Sequence, residues 1–182
     1  MAGRRNDTDP ILDLARDAAR AAVTHDWPVI TGLATGLDQV AIETAAAAGG
    51  RCVGVPAEGI NVVSRRADIR RLVHDGRLCI ASPYAPNNRS TAGAATGRRK
   101  IIHALSTVTF VMRADKGSGD TWAGAVEALQ RGWCPVAAWT GSGGADGNTA
   151  LVAQGAHPIR HVDQLFEPMA IAPTDHAQSS LF

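Results

Sequence analysis

Apolar side chains recur at two spacings along the chain, one typical of amphipathic helices and one of short buried strands. The helical spacing predicts helices at 10–25, 40–48, 65–75, 97–105, 121–131 and 148–155. Short apolar runs between them predict strands at 27–31, 52–55, 78–81, 107–112 and 135–139, with a final short strand or helix pair up to Phe166. Strands that alternate with helices predict an α/β fold with a doubly wound, mostly parallel, Rossmann-like sheet.

Two segments lack this periodicity. Residues 83–97 are rich in Pro, Asn, Ser, Thr, Ala and Gly, and they predict a long loop of the kind that is usually functional or mobile. Residues 167–182 contain two prolines and mostly small or polar side chains. The predicted organisation is therefore one domain over residues 1–166, followed by a flexible tail over 167–182.

Composition narrows the class of protein. With 182 residues, 45% of them hydrophobic, the chain can bury a proper core. No apolar stretch approaches the ~20 residues that span a bilayer, and no apolar signal core follows the N-terminus, so a cytoplasmic protein without membrane contact is expected. The three cysteines, Cys52, Cys79 and Cys134, lie in apolar runs and predict buried thiols, and the scattered histidines predict no metal site.

The near-neutral net charge of +1 hides an uneven distribution. Residues 64–116 carry eleven Arg or Lys against three acidic residues, whereas the segments on either side are acidic. Such a segment indicates a localised anion-binding face. The alternative is that its arginines only solvate helix surfaces.

Residues 31–38 join the first predicted strand to the second helix. Gly32 and Gly36 lack a Cβ, so backbone N–H groups can approach an anion at the start of the helix, where the dipole favours phosphate. Alternatively, the glycines only permit a tight turn and Asp38 only caps the helix. Short glycine motifs are common, so the sequence leaves both interpretations open.

Residues 116–121 repeat this arrangement at the start of the helix at 121–131. Here Lys116 and Ser118 add groups that can bind phosphate oxygens, and Gly119 has no Cβ, so the backbone N–H groups beside it are accessible. The lysine precedes the glycines, so this is not a Walker A motif and ATP hydrolysis is not indicated. A simple capped turn is the alternative.

Three adjacent cations, Arg98-Arg99-Lys100, lie near the start of the helix at 97–105. Successive helical residues point in different directions, so at most two of them share one face. They are interpreted as phosphate contacts, with a solvated helix start as the alternative. The nearest aromatic residue is Tyr84, so neither base stacking nor sequence-specific reading of bases is indicated.

No catalytic constellation is evident in the sequence. Ser82 and Ser118 have no histidine at a recognisable motif spacing, and Glu127 is expected to face solvent from its helix. The sequence therefore predicts no catalytic residue and no cofactor. It favours a protein that is not an enzyme.

Together, the motifs resemble the DprA/Smf family of DNA-processing proteins. Residues 31–38 resemble its Ser-Gly-Leu-Ala-x-Gly-Ile-Asp turn, and 98–102 its Arg-Asn-Arg-Ile-Ile helix start. Residues 116–121, with Ala125 beyond, resemble its Lys-Ser-Gly-Ser-x-x-Thr-Ala turn, and 147–156 its Gly-x-Asn-x-Leu-Ile-x-x-Gly-Ala element. The order of the four motifs is the same as in the family.

The resemblance implies a DprA/LOG type of Rossmann fold that binds single-stranded DNA non-specifically. It also implies partners: in the family, the protein helps to load RecA onto DNA and dimerises through this domain. The residues that would line the phosphate site are Gly32, Gly36, Arg98, Lys100, Lys116, Ser118 and Gly119.

This chain also departs from the family pattern. The family's first strand, with its Gly-Ser-Arg turn, has no counterpart before residue 11, so one phosphate-contacting arginine is missing. Ile42 replaces a histidine of the first motif, and Arg99 replaces the asparagine of the second. Neither the family's N-terminal helical module nor its C-terminal winged-helix module fits in 182 residues. A minimal, divergent member is expected, in which RecA loading is less expected than the fold or anion binding.

A second hypothesis is a nucleotide-binding sensor or a nucleoside monophosphate phosphoribohydrolase of the related LOG type. That hydrolase uses a Pro-Gly-Gly-x-Gly-Thr-x-x-Glu turn. Here the third residue after Thr121 is Gly124, where the hydrolase has its catalytic glutamate, so this mechanism is disfavoured.

The tail carries a separate motif, residues 178–182. It resembles the Gln-x-x-Leu-Phe peptide with which bacterial replication and repair proteins dock on the sliding clamp. Gln178, Leu181 and Phe182 would be the docking residues, because an amide and two apolar side chains can fill a pocket. A pentapeptide of this kind also arises by chance.

Overall fold

Helices and strands alternate in the computed structural model, which describes residues 10–171. The helices are α1 Pro10–Thr24, α2 Leu37–Ala47, α3 Ile60–Val63, α4 Ala67–His74, α5 Ala92–Leu105, α6 Gly119–Arg131 and α7 Asp146–Val152. The strands are β1 Val29–Thr31, β2 Cys52–Gly54, β3 Leu78–Ile80, β4 Thr109–Val111, β5 Val136–Trp139 and β6 His157–Ile159, and a 3₁₀ helix follows at Val162–Phe166. The predicted helices and strands are therefore present, with β6 and the 3₁₀ helix as the final pair.

Every strand pairing in the described residues is parallel. One sheet has the order β1-β2-β3 and the other has the order β4-β5-β6. Ile30 lies opposite Val53 in the first sheet, and Phe110 lies opposite Ala137 in the second. The predicted α/β fold with a mostly parallel sheet is confirmed, but the strands form two three-stranded halves.

Each half of the sheet has its own buried core. Around β1–β3 the core includes Ala19, Leu33, Ile42, Ala45, Cys52, Val63, Ile69 and Leu78. Around β4–β6 it includes Val111, Ala125, Ala128, Val136, Ala138 and Leu151. Helix α1 packs along α2 through small alanines, which allow the two backbones to approach closely.

Two predictions about local structure were wrong. Helix α5 begins at Ala92, five residues before the predicted start, because the Thr91 hydroxyl caps it by accepting the Ala94 N–H at 3.1 Å. Cys52 and Cys134 are buried as predicted, but Cys79 is exposed. It lies on the edge strand β3, and its side chain is on the opposite face from that of buried Leu78.

No helix between residues 10 and 171 has the length and apolar character needed to cross a membrane.

Candidate functional site

The turns that follow the strands meet at one edge of the molecule, because parallel strands end on the same side. The turns after β2 and β3 are joined there, since the Gly59 N–H donates to the Asn88 carbonyl at 2.9 Å. The two glycine-rich turns of interest follow β1 and β4. These strands belong to different sheets, but Thr31 and Asp38 beside the first turn line one cavity with Arg113 and Thr121 beside the second, so both turns lie at the carboxyl edge, where open α/β sheets bind their ligands.

The turn after β1 is closed by its own side chains. The Asp38 carboxylate accepts the N–H groups of Gly32 and Ala34 at 3.1 and 3.2 Å. The Leu33 N–H donates to the Thr31 hydroxyl at 3.2 Å. An internal carboxylate thus already occupies the position that an anion would take. The predicted phosphate contact at Gly32 and Gly36 stays a prediction, and it requires Asp38 to be displaced.

Arg98 is turned inward over the first turn. Its guanidinium donates to the Gly32 carbonyl and, at 3.2 Å, to the Val55 carbonyl, so it links the ends of β1 and β2. Its Nε is buried without a hydrogen-bond partner among the described residues. A Cβ at residue 32 would overlap this guanidinium, so Gly32 provides the space through which Arg98 reaches the two carbonyls.

A second arginine, Arg66 at the N-cap of α4, holds the same turn. Its guanidinium donates to the Leu33 carbonyl at 2.8 Å and pairs with Asp68 at 2.7 Å. The hydrogen bond from Arg66 is the main reason that the pKa of Asp68 lies below its usual value. Arg66 was not predicted as part of the site, because nothing local links it to a turn more than thirty residues away.

The other two cations of the Arg98-Arg99-Lys100 cluster face α6. Arg99 donates to the Asp120 carbonyl and pairs with the Asp120 carboxylate at 3.0 Å. Lys100 Nζ lies 3.6 Å from Glu127 Oε1. The cluster is therefore divided by its contacts. Arg98 bonds to the ends of β1 and β2, whereas Arg99 and Lys100 pair with residues of α6.

The turn after β4 is open, in contrast to the first. Lys116 and Ser118 are exposed, and no hydrogen bond joins the Ser118 hydroxyl to the start of α6 in the described structure. Gly117 and Gly119 have φ angles of 71° and 77°, a left-handed conformation that glycine adopts without strain. The first turn of α6 thus offers a hydroxyl and unshared N–H groups beside a lysine. Of the two predicted turns, this one is the better preorganised for an anion.

Arg113 and Thr121 also belong to this edge, and neither was predicted from the sequence as a site residue. They line a cleft between the ends of β1 and β4, opposite Thr31 and Asp38. Arg113 is exposed and has no ion pair within residues 10–171. Its position two residues after β4, at the carboxyl edge, was the signal that could have identified it.

Buried Asn148 positions the turn after β4. Its side-chain oxygen accepts the Ala114 N–H at 2.8 Å, and its amide nitrogen lies 2.9–3.1 Å from the carbonyls of Val111, Met112 and Trp139. Asn148, which directly follows Gly147 in the fourth motif, thus links the ends of β4 and β5. It is a positioning group for Arg113 and Lys116 and does not face the open edge.

Gly124 is buried beneath α5. A Cβ at this position would lie 3.2 Å from Arg99 Cδ and from His103 Nε2. A longer side chain therefore has no open space here. In this chain the position that corresponds to the hydrolase glutamate, Gly124, lies in the contact between α5 and α6.

Residues 178–182, with the predicted docking residues Gln178, Leu181 and Phe182, lie outside the described residues.

Comparison with known proteins supports one family. The family model for DNA recombination-mediator protein A matches residues 1–170. The DNA processing protein DprA of Bacillus subtilis is 27% identical over 173 residues, which are 93% of this chain and 58% of that protein. The chain thus spans a little over half the length of this relative.

Two solved structures share the fold. DprA from Streptococcus pneumoniae superposes with a TM-score of 0.75 at 23% identity, over 93% of this chain and 60% of that one. DNA processing protein A from Helicobacter pylori, whose structure is described as giving insight into its single-stranded DNA binding mode, superposes with a TM-score of 0.71 at 20% identity, over 90% and 75%. The family match covers nearly the whole chain, and the chain therefore belongs to the DNA recombination-mediator protein A family, that is, the DprA/Smf family.

Proposed function

We propose that this protein binds single-stranded DNA through its phosphate backbone, at the carboxyl edge of the sheet, and acts in DNA processing or recombination without catalysis. The observation that carries the proposal is the open turn after β4. There, exposed Lys116 and Arg113 flank the uncapped start of α6. Phosphate oxygens are the ligands that such a combination of cations and free N–H groups binds best.

The two turns differ in their charged groups, and we therefore assign them different roles in binding. Asp38 places a negative charge at the first turn, where it accepts two backbone N–H groups. The second turn also carries carboxylates, Asp115 and Asp120, but Asp120 pairs with Arg99, and no ion pair engages Lys116 or Arg113 within residues 10–171. We therefore assign the principal phosphate contacts to Lys116, Ser118 and Gly119 and a supporting role to Arg98, which shapes the first turn. Lys100 contributes only when it leaves Glu127, and because its side chain is 57% exposed, that exchange costs little.

Aromatic stacking has little part in this mode of binding. Trp122, which follows the second turn directly, packs against the core around β4–β6, and the hydroxyl of Tyr84 donates to the Ala94 carbonyl at 2.6 Å, so its ring is held against α5. Recognition through the backbone alone is sequence-independent and sensitive to salt. We expect the affinity for different base compositions to be similar.

The experiment is a salt titration of binding to a labelled oligothymidylate, measured by fluorescence anisotropy. Each phosphate contact to a single strand contributes about −0.7 to the slope of log affinity against log salt. Lys116→Ala should therefore reduce the slope by about 0.7 per lost contact, and Arg113→Ala should behave likewise. Arg131→Ala is the matched control, because Arg131 is an exposed arginine in the last turn of α6, away from the carboxyl edge.

Two results would contradict the proposal. One is an equal loss of affinity in the Arg131→Ala control. The other is tight binding of a mononucleotide with no affinity for DNA of any length, which would support the nucleotide sensor instead. The cleft between Thr31, Asp38, Arg113 and Thr121 is the place where such a ligand would bind. Hydrolysis is not part of the proposal, because Gly124 replaces the hydrolase glutamate and packs against Arg99 and His103.

Protein partners remain predictions. RecA loading and a homodimer follow from the family resemblance, and docking on the sliding clamp follows from residues 178–182. A pull-down with purified clamp tests the last of these. Binding that is unchanged when residues 178–182 are deleted would remove it.

A further inference from the structure

The proposed phosphate site accounts for only part of the basic segment at 64–116. Four of its cations have partners within residues 10–171: Arg66, Arg98, Arg99 and Lys100. Arg113 and Lys116 belong to the turn after β4. Three of the others, Arg65, Arg70 and Arg71, lie on or directly before α4, where they are exposed and have no ion pair in the described structure. We call these three side chains the α4 cluster.

The two helical members of the α4 cluster lie on the side of α4 that faces away from the core. Ile69 is 2% exposed, and with Leu72 it packs against the core around β1–β3. Successive residues of an α-helix are rotated by about 100°, so Arg70 and Arg71 project from the other side of the helix. Ala67, one turn earlier on that side, is small and exposed, so both guanidinium groups are accessible.

Helix α4 begins at the carboxyl edge, beside the turn after β1. Arg66, at its N-cap, donates to the Leu33 carbonyl of that turn at 2.8 Å. The helix then runs back along the sheet, because the strand that follows it, β3, is parallel to β2. With a rise of about 1.5 Å per residue, Arg70 lies about 6 Å along the axis from Arg66. The cations of α4 therefore lead away from the carboxyl edge over the outside of the molecule.

The turn after β1 joins the α4 cluster to the open turn after β4. On one side, Thr31 and Asp38 line a cavity together with Arg113. On the other side, Arg66 holds the same turn. Asp38 is an acidic group between the two cationic surfaces, and two backbone N–H groups already engage its carboxylate. An extended polyanion bound at Arg113 therefore reaches the α4 cluster by crossing this one turn.

Two carboxylates near the α4 cluster have partners of their own. Asp68 pairs with Arg66 at 2.7 Å. Glu43 of α2 lines a small groove together with Arg71, but its carboxylate accepts a hydrogen bond from Gln39 at 2.8 Å. The α4 cluster therefore keeps its positive charge available for an anion from outside the chain.

We propose that the α4 cluster is a second phosphate-binding surface, which binds the single strand where it leaves the carboxyl edge. This inference rests on the proposed function, because it extends the same DNA path. Arginine suits the role, since a guanidinium group donates to two phosphate oxygens at once.

A nucleic acid fits this surface better than an acidic protein does. Protein interfaces are usually anchored by aromatic side chains, and residues 65–77 contain no Phe, Trp or Tyr. The exposed groups are instead cations spaced along one helix. Neutralising successive phosphates of a strand requires only such cations.

The binding of a short and a long oligothymidylate, of about 6 and about 24 nucleotides, tests the proposal by fluorescence anisotropy. The short strand occupies the carboxyl edge alone, whereas the long strand also reaches α4. The variant is Arg70→Ala/Arg71→Ala. Its matched control is Arg51→Ala/Arg131→Ala, because both of these arginines are exposed and lie elsewhere, Arg51 directly before β2 and Arg131 in the last turn of α6.

The α4 variant should reduce the slope of log affinity against log salt for the long strand by about 1.4, which is about 0.7 for each lost contact. It should leave the slope for the short strand unchanged. Arg70→Lys/Arg71→Lys should retain the long-strand slope, because it keeps both charges. The control should change neither slope.

An unchanged slope for the long strand would overturn the proposal, and so would an equal change for both lengths. Binding of polyglutamate that is lost in the α4 variant, with long-strand binding intact, would also overturn it and would make the surface a protein-docking site. Failure of the proposed function gives a different pattern. Lys116→Ala would then leave the affinity for both strands unchanged, and the extension onto α4 would be refuted with it.

Discussion

Replacing Asn148 tests how the turn after β4 is held in place. The side chain is 1% exposed, and it joins the Ala114 N–H to carbonyls at the ends of β4 and β5. The amide nitrogen has two hydrogens for three nearby carbonyls, so three hydrogen bonds in total are satisfied at once. Asn148→Ala removes all three and leaves a buried N–H without a partner.

The expected cost follows from those bonds. Each of the three bonds contributes about 1 kcal/mol net, and the unpaired buried N–H costs about 1–3 kcal/mol, so the free energy of unfolding should fall by about 4–6 kcal/mol. That is a large part of the roughly 5–15 kcal/mol typical of a domain. The midpoint of thermal unfolding should fall by about 10 °C.

Urea unfolding followed by tryptophan fluorescence and circular dichroism measures this change, since the chain has four tryptophans. Thr149→Ala is the control, because Thr149 is exposed on the same helix. Asn148→Asp keeps the shape but loses the donors, so it should be destabilising at neutral pH and recover as the carboxyl protonates. A loss below about 1 kcal/mol for Asn148→Ala would refute the assigned role.

Three further predictions concern single positions. Burial, with a smaller effect from the Arg99 charge, lowers the pKa of His103 to about 4, so its neutral form stabilises the fold above pH 6.5 and this stabilisation is lost as the pH falls towards 4. Urea unfolding should show a loss of about 2 kcal/mol between pH 7 and 5 that is absent in His103→Gln, and an equal loss in the variant would contradict this. Gly32→Ala should expel Arg98 and cost about 1–3 kcal/mol by the same assay, whereas Gly93→Ala, with open space around it, should cost nothing. Cys79 should be the one thiol of the native chain that reacts quickly with a thiol reagent, since burial raises the pKa of Cys52 to about 11; rapid labelling that survives Cys79→Ser would show otherwise.

The elements of the fold were predictable because their signals are local. Apolar periodicity located the helices and strands, and the glycine-rich turns were found where two strands end. The start of α5 was missed because Gly93 and Gly97 lower its helix propensity, while the cap at Thr91 offsets that loss. Local patterns also identified the motifs that place the chain in its family.

The sequence by itself therefore determined the α/β class, the two turns and the basic segment. Only the tertiary structure decided which partners the three adjacent cations contact. Arg98 bonds to Gly32, which is sixty-six residues away in the sequence, and Arg99 bonds to Asp120, which is twenty-one residues away. The tertiary structure also decided that Asp38 closes one turn while the other stays open, and that the described strands form two three-stranded sheets. These features depend on hydrogen bonds and packing between segments far apart in sequence, which residue type and spacing do not encode.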